Sequence, residues 1–381
     1  MPWEFHGRGG LNPQELIQAL PEIDLSRIAF GLHYFPETGL ADFFACDADN
    51  LVPISSPLQL SDYVGNSAFV AFPFQGGATG YLIPPFLGVQ ECVSRRFVVE
   101  GFFREDADEP GPAHLQAVQF DSEEDYKEKV FNALELIRSG TFEKVVLSRS
   151  FADPYSRAGL SDFLSRVFNT YPQANLIVFN IPGKGLWISA SPEILLASGH
   201  SILGFPQTQI ISHALAGTKP LSSDHPWTEK EVREQALVAG FIEDKFTALA
   251  GKENLQKVGP MPHAAGELQH LSTIFHFAGG NQQLAVHLAA SLHPTPAVCG
   301  FPFEASYAWL LENEKLDRSF FSGFSGSFHP ERMKFVVNLR TACFRDDHLI
   351  FYAGAGIVEG SDPEAELAET NAKINTLRKL S

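Results

Sequence analysis

Two pairs of glutamates, Glu231 with Glu234 and Glu366 with Glu369, repeat one spacing, Glu-x-x-Glu. On a helix that spacing puts both carboxylates on one face. A charged, solvated face is the ordinary use of such a pair. The chemical use is different: like charges so placed repel, and a hard divalent cation bridging the two helices relieves the repulsion. A donor set made of oxygen alone points to Mg²⁺, which keeps several waters, takes one or two carboxylates directly and leaves positions for substrate oxygens. That chemistry is metal-assisted binding of an anionic substrate.

Lys144 interrupts the apolar, β-branched run "TFEKVVLSRS" at 141–150. Strand alternation puts it on one face with Phe142, Val146 and Ser148. Either its stem packs while the ammonium snorkels to water, or the amine is desolvated and usable as a general base. Glu193 follows a proline in "SASPEILL" and is either a turn residue or a third site carboxylate. Gly217 and Thr218 in "ALAGTKP" offer close backbone approach and a hydroxyl. His270 in "QHLST" is a structural histidine or a catalyst. Arg340 lies in the expected strand "FVVNLRTACF", where a guanidinium among apolar neighbours wants a carboxylate, and a ligand carboxylate would serve. Gly354 and Gly356 in "YAGAGIV" suit backbone N–H groups meeting an anion, without matching a dinucleotide or P-loop pattern.

The elements that must position these residues are legible in outline. Residues 1–103 carry short β-like runs such as "SAFVAFPF" and "RRFVVEGFF" between Gly/Pro punctuation, and the polar "REDADEPGPAH" is a candidate boundary. A helix is expected between an N-cap at Ser122 and a stop at Gly140. "ANLIVFNIP", "GLWISASPEILLAS" and "HSILGFP" are expected to be consecutive antiparallel strands with turns at Pro182-Gly183 and Gly199-His200. "WTEKEVREQALVAGFIEDKFTALAG" has the longest helical stripe, and the chain ends in strands followed by the helix "DPEAELAETNAKINTLRKL".

Composition narrows the function classes. A chain of 381 residues, 44% hydrophobic, can build a sizeable core in one large domain or two. Lys and Arg number 28 against 45 Asp and Glu, a formal net charge of −17, which opposes binding to nucleic acid or an anionic membrane. Cys46, Cys92, Cys299 and Cys343 are scattered without CxxC spacing, so neither a disulfide framework nor structural zinc is indicated. The start "MPWEFHGRGG" lacks signal-peptide character and no apolar run approaches about 18 residues, so a cytoplasmic protein is expected.

In order along the chain, "EKVVLSR", "SASPEILL", "LAGTKP", "EKEVREQ", "QHLST", "LHPTPAVCGFP", "RSFFSGFSGSF", "LRTACF" and "YAGAGIVEGSDPEAELAET" resemble the chorismate-utilising enzymes, and among them the isochorismate synthases. The resemblance covers residues 120–381, whereas 1–115 share only a sheet-rich character. It implies one α+β domain over 1–381, with large antiparallel sheets flanked by helices and a cleft near the C-terminal core. It implies chorismate as substrate and Mg²⁺ as cofactor. Position by position, it makes Lys144 the base that activates water for attack at C2, and Glu193 the acid that protonates the departing C4 hydroxyl. Glu234 and Glu369 become direct Mg²⁺ ligands, with Glu231 and Glu366 acting through water. Arg340 and Lys373, with backbone amides around Gly354 and Gly356, grip substrate carboxylate, and Gly217, Thr218 and His270 lie near the ring.

Within that family the ammonia-using members differ at two places. Anthranilate synthases typically carry glutamine at the "EKVV" lysine, and aminodeoxychorismate synthases carry a nucleophilic lysine where this chain has Ala216. Water is therefore the expected nucleophile, and no amidotransferase subunit is implied. Salicylate synthases share the base lysine but typically have tyrosine where Phe321 stands here. Gln235 and Lys219 depart from the histidine and arginine often found at their positions. A menaquinone or a siderophore pathway would use the product.

Overall fold

The computed structural model describes residues 17–18, 23–85, 122–199 and 208–381. The expected strands "RRFVVEGFF" and "HSILGFP", the polar boundary "REDADEPGPAH" and Cys92 lie outside the described residues.

Two antiparallel sheets organise the chain. The first runs, in spatial order, β13 (Gly300–Phe301), β6 (Lys144–Pro154), β17 (His348–Val358), β16 (Thr341–Arg345), β8 (Gly185–Ser191), β7 (Asn175–Ile181), β1 (Ile28–Phe35) and β2 (Leu40–Asp47). The second runs β11 (Leu255–Ala265), β12 (Leu268–Ala278), β10 (Gln209–Pro220), β9 (Ile194–Gly199), β15 (Arg332–Val337), β14 (Phe324–His329), β4 (Ala68–Phe72), β5 (Gly80–Ile83) and β3 (Val52–Ile54). Their facing sides share an aromatic core that includes Phe69, Phe179, Trp187, Phe320 and Phe321. Gly31 marks the close approach, since a Cβ there would enter the ring of Phe69.

Helices cover the outer faces, as an α+β layering requires. α1 (Glu123–Arg138) contacts β6 and β17 and α5 (Phe303–Asn313) contacts β13 and β6, all of the first sheet, whereas α3 (Glu229–Ala250) and α4 (Gln282–Leu292) lie against β10 and β9 of the second. α2 (Leu160–Thr170) and α6 (Pro363–Arg378) pack on the first sheet through residues such as Phe163, Val167, Ile374 and Leu377. α1 starts as its sequence predicts: Ser122 and Asp125 close a capping box, which satisfies otherwise orphaned backbone donors. No helix among the described residues is long and apolar enough to cross a membrane.

Two expected runs are divided by the structure. "GLWISASPEILLAS" is one hydrophobic stretch in sequence, yet β8 belongs to the first sheet and β9 to the second, so the chain changes sheets at Pro192 and Glu193. "FVVNLRTACF" likewise ends as β15 in the second sheet and resumes as β16 in the first. Arg340, expected inside a strand, occupies the break with a positive φ of 47°. Both crossings carry a charged residue into the space between the sheets. Ordinary strand periodicity gives no sign of this, because both halves of each run are buried and apolar.

Candidate active site

One cleft collects most of the expected site residues. Glu193, Gly217, Thr218, Glu234 and His270 line it, together with Arg340, Gly354, Gly356 and Lys373. Val146, two residues beyond Lys144 on β6, forms part of the same wall. Lys144, Glu366 and Glu369 stand behind this surface, and Glu231 is turned elsewhere.

Lys144 is 0% exposed, so its ammonium does not snorkel to solvent. Its Nζ lies 3.0 Å from Glu234 Oε1, at ion-pair distance but outside hydrogen-bond geometry. Gly356 makes this arrangement possible, since a Cβ there would enter the carboxylate of Glu234 and lie 3.1 Å from Lys144 Cε. Burial works against the charge on Glu234, but Lys144, then Lys230 and Lys373, hold its carboxyl below the usual range. It is a carboxylate at neutral pH.

Glu193 has the opposite environment. It is 1% exposed, neither carboxyl oxygen has a hydrogen-bond partner among the described residues, and burial raises its pKa from 4.5 to about 8, with Lys144 pulling the other way. The side chain therefore keeps its proton at pH 7. Its backbone is held by the sheet crossing: Ser191 Oγ accepts from Glu193 N at 3.2 Å, and the Glu193 carbonyl accepts from Val337 N at 3.1 Å. A protonated acid and a buried amine thus serve one cleft, the pattern expected of an acid–base pair.

Arg340 is 8% exposed and makes no ion pair among the described residues, and burial lowers its pKa to about 10. Its Nη2 lies 3.4 Å from His270 Nε2, and His270 Nδ1 lies 3.1 Å from Thr218 Oγ1. Burial first, then Arg340 and Lys373, keep His270 neutral. A cation donating to Nε2 leaves the proton on Nδ1, where it is given to Thr218 Oγ1, freeing the hydroxyl proton for a ligand. The guanidinium is a buried cation awaiting an anion, as a carboxylate-binding group should be.

The acidic cluster differs from the simple two-pair picture. Glu231 accepts from Thr228 N at 2.8 Å and from the Thr228 hydroxyl, closing the capping box of α3, so its carboxylate is committed to the helix start. Its backbone packs against Gly217, whose φ of 71° and tight surroundings exclude a side chain. Nor are the remaining glutamates uncompensated. Lys144 pairs with Glu234, Lys230 with Glu366 at 2.5 Å and Lys373 with Glu369 at 2.8 Å. Lys373 also donates to the Gly354 carbonyl at 2.9 Å, which ties α6 to β17. Among the described residues no three of His, Cys, Asp and Glu stand together at metal-holding spacing. The donor chemistry nevertheless fits a hard cation: Glu366 is 1% exposed, its Oε2 is buried without a hydrogen-bond partner, and burial with the neighbouring Glu369 raises its pKa.

Some supporting residues escape a reading of motifs. Lys230 precedes Glu234 by four positions on α3, and that i,i+4 spacing is a signal for a shared helix face. Glu314 and Arg318 are also four apart, but Glu314 caps the end of α5 and Arg318 lies beyond it, so a shared helix face does not explain their pairing. Arg318 Nη2 donates to the Val146 carbonyl at 2.6 Å, and Glu314 Oε2 accepts from Ser148 N at 2.9 Å, so this buried pair fastens the strand that carries Lys144. Of the two departures, Gln235 bonds Thr273 Oγ1 at 2.7 Å inside the protein, and Lys219 packs over the Trp227 ring at 4.5 Å.

Fold and cleft together define an α+β protein with buried ionisable groups gathered around one cleft. Residues 98–380 match the family of chorismate binding enzymes, and the chain belongs to that family. It is 31% identical over 284 residues to the vibriobactin-specific isochorismate synthase of Vibrio cholerae, covering 70% of each chain. It is 33% identical over 283 residues to an isochorismate synthase of Bacillus subtilis, covering 67% of each. In fold it is similar to the menaquinone-specific isochorismate synthase of Escherichia coli, with a TM-score of 0.73 at 19% identity, over 96% of this chain and 90% of the other.

Proposed function

We propose that the protein is an isochorismate synthase, interconverting chorismate and isochorismate. The observation that carries this reading is the proton-bearing, unpartnered Glu193 in the cleft whose wall also hides the Lys144 amine. Once Lys144 has released the proton it carries in its pair with Glu234, the free amine accepts a proton as water forms its bond to C2, the ring double bonds shift, and the C4–O bond breaks as Glu193 delivers a proton to the leaving oxygen. One water enters and one leaves, so the reaction is an isomerisation. In the reverse direction the deprotonated Glu193 and protonated Lys144 exchange roles. Arg340 and Lys373 hold substrate carboxylate, and Thr218 orients the ring through the hydroxyl proton that His270 leaves free. Glu234 and Glu369 would hold Mg²⁺, with Glu366 beside them, and the ion would neutralise and orient the substrate's ring carboxylate. The single domain spanning residues 1–381 and its cytoplasmic action belong to the same proposal.

Chelation abolishes turnover and Mg²⁺ readdition restores it; undiminished turnover in excess chelator would remove the metal from the scheme. Glu234→Gln and Glu369→Gln each lower kcat/KM by about 10²-fold or more with the fold retained. Glu364→Gln changes little, because Glu364 is 73% exposed and pairs with Lys127 at the surface. Steady-state kinetics of the three variants checks this, and equal losses in all three would show that the wrong helix face has been assigned.

Salicylate formation is the competing outcome, requiring loss of the enolpyruvyl group as pyruvate. Phe321 stacks on Tyr352 at 5.4 Å and supplies no hydroxyl to that side chain. Chorismate incubated with the pure enzyme and Mg²⁺ therefore yields a mixture of chorismate and isochorismate, resolved by chromatography. A coupled lactate dehydrogenase assay detects little pyruvate; stoichiometric pyruvate with salicylate fluorescence would reverse the assignment.

A further inference from the structure

We infer that Lys230 is a built-in counter-cation of the glutamate cluster, which stands in for the divalent ion in the metal-free protein and must be displaced when the ion binds. The inference rests on the proposed role of Glu234, Glu366 and Glu369 as the metal-holding carboxylates.

Each carboxylate has its own ammonium, but the three lysines are not equivalent. Lys144 is 0% exposed and rooted at the start of β6, between β13 and β17. Lys373 is tied a second time, to the Gly354 carbonyl. Lys230 lies in the first turn of α3, keeps 23% of its side chain exposed, and bonds Glu366 Oε1 at 2.5 Å. Its ammonium is attracted by Glu366 first, then also by Glu369 and Glu234, so it sits within the field of the whole cluster. It can swing to water, whereas the buried Glu366 cannot follow it.

Charge balance says why it should leave. Within the glutamate cluster, three carboxylates and three ammoniums cancel. A divalent ion added to that set brings two uncompensated positive charges into a partly buried space, and departure of Lys230 removes one of them. The carboxylate oxygens that Lys230 releases, including the unpartnered Oε2 of Glu366, are the hard donors the ion needs. Carboxylates drawn to separate lysines are also consistent with the lack, among the described residues, of a ready three-ligand cluster.

Calorimetric titration of Mg²⁺ into substrate-free protein tests this without reference to turnover. Lys230→Gln binds Mg²⁺ about two- to fivefold more tightly than wild type, the size expected for removing one partly solvated ion pair. Lys230→Arg, which keeps a cation in place, does not gain affinity. In chelator the melting temperature of Lys230→Gln falls below that of wild type, and Mg²⁺ raises it by more than it raises wild type. Equal or weaker Mg²⁺ binding by Lys230→Gln would overturn the inference and reduce Lys230 to a structural partner of Glu366. Absence of Mg²⁺ binding in wild type and both variants, with chorismate also present, would overturn it together with the metal reading on which it rests.

Discussion

Lys144→Ala lowers kcat by about 10²–10⁴, the range for loss of a positioned general base. Two effects have to be separated in that variant. The wild-type side chain is 0% exposed and pairs with Glu234 at 3.0 Å, so alanine leaves both a cavity and a carboxylate without its nearest cation. Breaking a buried pair from one side costs about 3–5 kcal/mol, enough to lower the melting temperature without touching the chemistry. Lys144→Met retains most of the volume while removing the amine, and recovers part of the stability lost in alanine. Catalysis does not recover with it: both variants show the same loss of kcat at temperatures where both are folded. Thermal melts by circular dichroism and steady-state kinetics on the same preparations decide the matter. A methionine variant that regained turnover along with stability would make Lys144 a packing residue.

Much of this site was legible because its side chains are chemically odd for their surroundings. A lysine in a β-branched run, an arginine between apolar residues and two glutamate pairs are visible in one dimension, and the structure brings Lys144, Arg340, Glu234 and Glu369 to the same region of the fold. The resemblance supplied roles for residues with no such signature, Lys373 above all. What could not be read was the route of the backbone between sheets. Glu193 looked like a turn residue after a strand, and its raised pKa depends on β9 leaving the sheet that β8 belongs to, a long-range event. Arg340 looked like a strand residue for the same reason. Glu231 was legible in two ways, because Thr228 three positions earlier is a capping-box partner, and the local hydrogen bonds prevailed over membership of the acidic cluster. The glutamate spacing alone implies a metal for charge balance, whereas Lys144, Lys230 and Lys373 supply that balance themselves.

Glu193→Gln separates catalysis from stability in the opposite sense to Lys144→Ala. An amide of nearly the same shape cannot donate the proton that the C4 oxygen needs, so kcat falls by about 10²–10⁴ while chorismate binding stays measurable by calorimetry. Wild-type turnover declines as pH rises through about 8, where the Glu193 proton is lost, and the residual activity of the variant lacks that limb. Stability moves the other way. The folded protein holds this proton up to about pH 8 while an unfolded chain releases it near 4.5, so wild type loses stability progressively as pH rises across that interval. The gap corresponds to about 4–5 kcal/mol at its alkaline end. The neutral glutamine has no such penalty, so its melting temperature draws ahead of wild type between pH 5 and about 8. Titrations common to both proteins, such as those of the buried histidines, cancel in the difference. Parallel melting curves across that pH range would show that the carboxyl is not held protonated by burial, and loss of chorismate binding in the variant would make Glu193 a structural residue of the cleft instead of its acid.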